Sequence, residues 1–83
     1  MTALALILRV KRILDDNTIK QAAQECGVYY GTMMRAENGS SMKEETIQKM
    51  AKYLGVSLEE AMVLSVRKVD PNDIVQLIAN HLK

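Results

Sequence analysis

Apolar residues recur three and four positions apart along nearly the whole chain, a spacing that puts them on one face of a helix and admits little else. Glycine occurs 4 times and proline once in 83 residues, too little turn chemistry for a many-stranded sheet. The only aromatic residues are 3 tyrosines, and methionine occurs 6 times, a mixture that favours helices over strands. With 48% hydrophobic and 25% charged residues, the chain is expected to fold by itself. At this length it forms one domain, residues 1–83, burying about 60–65% of its unfolded surface. The expected fold class is all-α.

Six helices are expected, over residues 3–15, 19–26, 29–37, 43–54, 58–66 and 70–82. The first has an apolar stripe of Leu6, Val10, Ile13 and Leu14, and Asp15, Asp16 and Asn17 stop it by competing for local backbone hydrogen bonds. The run from Leu4 to Leu8 suits either the core or a contact with a second subunit. Asn17 or Thr18 caps the second helix, and Gly27 ends it. In the third, Val28, Met33 and Ala36 face inward while Tyr30, Gly31, Met34 and Arg35 face outward. Ile47, Met50, Ala51 and Leu54 give the fourth its core face. Ser57, with Glu60 three residues later, opens the fifth as a capping box. Asp70 and Pro71 open the last, whose stripe of Ile74, Leu77, Ile78 and Leu82 invites a partner.

Charge and chemistry narrow the function classes. Lys and Arg total 11 against 10 Asp and Glu, which excludes a polybasic or an acidic tail. The single cysteine, Cys26, has no internal disulfide partner, so a reduced cytoplasmic setting is expected. No apolar run approaches a membrane span. Cys26 reads as a buried structural thiol, and Met33, Met50 and Met62 as core filler. His81 has no neighbouring ligand set, so no metal is expected. No nucleophile has a base and an orienting partner, and no glycine loop cradles a phosphate, so neither catalysis nor a cofactor is expected.

Residues 18–39 stand apart. A short helix, a glycine turn and a second short helix follow one another, and the small pair Ala22-Ala23 permits a close, steep crossing. Such a pair can place its second helix in a DNA major groove. The segment TIKQAAQECGVYYGTMMRAENG resembles the helix-turn-helix of the Cro and phage-repressor family, of the xenobiotic-response-element type. Thr18, Ala23, Gly27, Val28, Thr32, Glu37, Asn38 and Gly39 match its pattern in spacing. IQKMAKYLGVSLEEAM, residues 47–62, resembles the helix pair that follows in the same family. The departures are Ile19 in place of a glutamine that contacts phosphate, Ala22 in place of leucine, and Tyr29 in place of a capping serine or threonine.

The resemblance implies a lambda-repressor-like fold of about five core helices plus a C-terminal one. It implies base contacts from Tyr30, Gly31 and Arg35, flanked by Tyr29, Thr32 and Met34. Arg35 suits guanine, whose O6 and N7 match its guanidinium fork, and Met34 or Tyr30 suits a thymine methyl. Phosphate contacts are implied for Thr18, Lys20, Asn38, Ser40 and Lys43. Arg12 and Glu37 are implied to form a salt bridge that fixes the recognition helix. The expected function is a sequence-specific regulator of transcription, a repressor or controller, that binds a near-palindromic double-stranded operator as a homodimer through its last two helices. A regulatory protein partner fits its lack of a ligand domain, and a phage, plasmid or similar mobile setting follows from the resemblance. The alternative is a protein-interaction module of the same fold that has lost DNA binding, which the low net charge and Ile19 favour.

Overall fold

The computed structural model describes residues 1–70, and the expected helix at 70–82 lies, beyond its cap residue Asp70, outside the described residues. Five helices follow one another: α1 Ala3–Leu14, α2 Ile19–Cys26, α3 Tyr30–Glu37, α4 Glu44–Leu54 and α5 Leu58–Val66. The described residues are all helical in class, with no strand among them. One isolated antiparallel bridge joins Thr2 to Lys68.

The first two turns of α1 form the centre of the molecule. Ala3 to Leu8 are all buried, as is Val10. A helix that is apolar on every side has to lie inside, so the run from Leu4 to Leu8 is core. α1 packs against α3 and α5, α2 against α3 and α4, and α4 against α5. The start of α1 is tied down by the far end of the described chain. Ala3 N–H donates to the Arg67 carbonyl at 2.8 Å, and Val69 N–H donates to the Met1 carbonyl at 3.0 Å. Thr2 caps the helix, its hydroxyl oxygen accepting from Ala5 N–H at 3.2 Å.

Two expected core assignments are corrected. Ile13 and Leu14 are exposed, because the last turn of α1 has run past the core. In that turn the side facing α3 is filled by Arg12 and its carboxylate partner. Met62 is exposed on α5, whose buried residues are Ala61 and Leu64 alone. Met33 and Met50 are fully buried, as expected. Ile47, Met50, Ala51 and Leu54 all face inward on α4. Ser57 caps α5, its hydroxyl oxygen accepting from Glu60 N–H at 3.1 Å.

Candidate nucleic-acid interface

The unit formed by α2, a glycine turn and α3 is held by local hydrogen bonds at its start and middle. Thr18 Oγ1 accepts from Gln21 N–H at 3.1 Å, and Gln21 Oε1 accepts from Thr18 N–H at 2.8 Å. This reciprocal box satisfies two backbone donors that the helix itself leaves open. It settles the cap in favour of Thr18, while the side chain of Asn17 donates to Glu25. α2 ends at Gly27, whose φ of 80° lies in the left-handed region. The N–H groups of Gly27 and Val28 donate back to the Ala23 carbonyl at 2.9 and 3.0 Å. Ala22, Ala23 and Cys26 are the buried side of α2, and their small volume lets α3 and α4 come close.

α3 divides sharply. Met33, Ala36 and Glu37 are buried, while Tyr29 at its N-terminus is 86% exposed and Tyr30 is 50% exposed. Met34 and Arg35 are exposed too. Around Gly31, an added Cβ would meet nothing within 4 Å, so this part of the helix surface is open. Tyr30 and Met34 are one helical turn apart, as are Gly31 and Arg35, so the four form adjacent rows on one side. Thr32 is half-buried and turns toward α4, where it lines a groove of about 490 Å³ with Gly27, Tyr29, Thr46 and Lys49. It therefore lies beside the exposed row rather than in it. No side-chain hydrogen bond caps α3, consistent with tyrosine standing at the cap position.

The side chains of the Arg12–Glu37 pair meet as expected. Arg12 Nε donates to Glu37 Oε2 at 2.9 Å, and its Nη2 donates to Oε1 at 3.1 Å, a bidentate fork. The Glu37 side chain is 4% exposed and that of Arg12 is 20% exposed. Arg12 Nη1 also donates to the Asn17 carbonyl at 3.4 Å, reaching the segment that leads into α2. Arg9 adds a contact that the sequence reading missed: its Nη2 donates to the Glu37 carbonyl at 2.9 Å, and its Nε lies 4.0 Å from Oε1. Its position three residues before Arg12, on the same face of α1, was the available signal. Two arginines of the central helix thus grip the C-terminal end of α3.

The other expected contact residues are all exposed: Thr18, Lys20, Asn38, Ser40 and Lys43. Four have further structural duties. The Thr18 oxygen accepts the capping bond, Asn38 is the C-cap of α3, and Lys43 stands at the N-cap of α4. Ser40 N–H donates to the Arg35 carbonyl at 3.0 Å, closing the last turn of α3. Glu44 and Glu45 follow Lys43 in the first turn of α4, where they suit the helix dipole and offset the lysine's charge.

Cys26 is buried, and loss of water around the thiol pushes its pKa up to about 11 against an opposing pull from Lys49. Such a thiol holds almost no thiolate near neutrality and is a poor nucleophile. Among the described residues, no three His, Cys, Asp or Glu side chains are grouped to hold a metal ion. None of the described helices is long and apolar enough to cross a membrane. His81 lies outside the described residues. Compared with models of protein families, with curated proteins and with solved structures, the chain matches none of them.

Proposed function

We propose that this chain is a sequence-specific double-stranded DNA-binding regulator of the Cro and phage-repressor type, with a lambda-repressor-like fold and α3 as its recognition helix. The observation that carries the reading is the division of α3. Its inner side is locked by Met33, Ala36 and the Arg12–Glu37 fork, while Tyr29, Tyr30, Met34 and Arg35 stand in solvent on a rigid support. Base readout requires such preorganised side chains on an element that can enter a major groove. Arg35 reads guanine, a contact that discriminates by about 1–3 kcal/mol. Lys20 and Lys43, with Thr18, Asn38 and Ser40, contact phosphate.

One short helix reads too few base pairs for useful specificity, so two copies bind half-sites about 34–36 Å apart. The exposed Met62, Val63 and Val66 of α5 support a self-association surface there. The decisive experiment measures duplex binding against salt, first on bulk DNA and then on a sequence enriched from a random pool. Two lysines per copy give a dimer about four phosphate contacts, hence a slope of log affinity on log salt of about −4. Arg35→Ala weakens the enriched duplex by about 10- to 100-fold. Absence of binding to any duplex at low salt refutes the proposal.

A second reading rests on the same helix. Its exposed side chains are mostly aromatic or apolar, with Arg35 the one cation, a composition that also suits a protein partner. In that case the chain binds no duplex, and Tyr29→Ala or Tyr30→Ala abolishes capture of the partner.

A further inference from the structure

The exposed side of α3 differs from those of its neighbours. On α2 the exposed residues are Lys20, Gln21, Gln24 and Glu25, and on α4 they are Glu44, Glu45, Gln48, Lys49 and Lys52. Those are ordinary solvated faces. On α3 they are Tyr30, Gly31, Met34 and Arg35, with Tyr29 just before them. The helix's one acid, Glu37, is buried in the arginine fork, so no carboxylate from α3 itself lies in this row to repel DNA. The open backbone at Gly31 lets a base edge come close between Tyr30 and Arg35.

Resting on the duplex-binding reading above, we propose that the ridge formed by Tyr30 and Met34 reads thymine methyl groups, with Arg35 reading a guanine nearby. In the major groove the C5-methyl of thymine is the one sizeable apolar group on a base edge; the N and O groups beside it are hydrogen-bond donors or acceptors. A methionine, or the ring of a tyrosine, laid over those other groups removes water from them and replaces nothing. Over a thymine methyl it buries apolar surface on both sides. The spacing fits: residues four apart are separated by about 6 Å along a helix, close to two base steps of about 3.4 Å. The preferred half-site is therefore rich in thymine, on either strand, and holds at least one guanine.

The test uses the full chain and the duplex enriched from a random pool. Affinity at fixed salt is compared between that duplex and a copy in which every thymine is replaced by uracil, which removes only the methyl groups. Each contacted methyl contributes about fourfold, so the uracil duplex is bound at least about fourfold more weakly. Tyr30→Ala and Met34→Ala each lower the thymine-to-uracil ratio, and together they bring it close to one. Tyr30→Phe keeps the ratio, because the ring and not the hydroxyl makes the contact. Arg35→Ala keeps it too while losing the preference for guanine. Both ridge residues are exposed, so these variants keep the wild-type helical circular dichroism. Equal binding of the two duplexes, or a ratio unmoved by both alanine changes, overturns the methyl readout and leaves duplex binding standing. If no duplex is enriched, this inference and the functional reading fall together.

Discussion

Replacing Arg12 by alanine strands the Glu37 carboxylate inside the protein, and the cost follows from the geometry around it. Removing one partner of a fully buried ion pair typically costs about 3–5 kcal/mol, most of it the penalty on the charge left behind. Two features reduce that figure here. Arg12 is itself partly exposed, so its attraction to Glu37 is screened by water. Arg9 Nε stays 4.0 Å from the same carboxylate and holds part of its charge. The expected loss is about 2–3 kcal/mol, a large share of the roughly 4–12 kcal/mol available to a chain of this size. Urea unfolding followed by circular dichroism should show a midpoint lowered by about 2 M at a slope of about 1 kcal/mol per M. Glu37→Gln costs less, about 1 kcal/mol, because Arg12 can turn to solvent. The double variant Arg12→Ala with Glu37→Gln is more stable than Arg12→Ala alone, since no charge is stranded. Amide exchange in α3 accelerates in Arg12→Ala more than exchange in α4. A loss under 0.5 kcal/mol, or a double variant whose loss equals the sum of the two single ones, refutes the account.

Two buried groups give further tests. The Tyr53 hydroxyl is buried and finds no hydrogen-bond partner among the described residues, while Lys11 Nζ lies 4.9 Å from the centre of its ring. Tyr53→Phe removes the unpaired hydroxyl and keeps the ring under the lysine, so urea unfolding should show unchanged or slightly raised stability at neutral pH. Burial, and then the charges of Glu25 and Asp15, push the Tyr53 pKa from 10.0 up to about 12. The folded state thus favours the protonated phenol: its contribution is complete below pH 10 and disappears as the pH rises toward 12. Stability measured across that window should fall further in the wild type than in Tyr53→Phe. Cys26, raised from 9.0 to about 11, behaves likewise between those values. Native protein at pH 8 should react with a thiol reagent at least about tenfold more slowly than urea-unfolded protein.

Sequence made legible those parts of the fold whose cause is local. The bounds of α2 and α5 match expectation because Thr18, Gly27 and Ser57 mark the ends of helices by their own chemistry. The inward set on α4 matches because a long amphipathic helix states its buried side in its spacing. Ile13 and Leu14 misled because periodicity tells which side of a helix is apolar, not how far the core extends along it. Met62 misled because α5 is apolar on more than one side, so composition could not choose between them. The join between residues 1–3 and 67–69 was invisible, since it uses backbone groups far apart in sequence and leaves no mark on side chains. At the candidate interface, the outward row of α3 was legible from the same periodicity that buried Met33 and Ala36. The grip of Arg9 on the Glu37 carbonyl was not, because any long side chain on that face has several partners within reach.

The arginine grip also limits how the protein can bind a polyanion. Of 11 lysines and arginines, Arg9 and Arg12 are directed inward to Glu37, and Lys11 pairs with Asp15 at 2.8 Å. The cations that orient α3 are therefore withdrawn from phosphate contact. Proteins that bind DNA through 6–10 phosphates lose about 10³–10⁵ in affinity between 50 and 200 mM salt. If the chain binds duplex DNA as the proposed dimer, about four phosphate contacts would make the loss near a hundredfold, so nonspecific binding would be weak and affinity would come from base edges. That division of labour suits an apolar ridge beside one arginine, because burial of methyl groups hardly responds to salt. Specificity should accordingly hold as salt is added: between 50 and 200 mM salt both affinities fall about a hundredfold through the same phosphate contacts, and the ratio of affinity for the enriched duplex to that for bulk DNA stays constant. A rising ratio means that bulk DNA is held by more phosphate contacts than the enriched site, and a falling one means that charge, rather than the ridge, distinguishes the site.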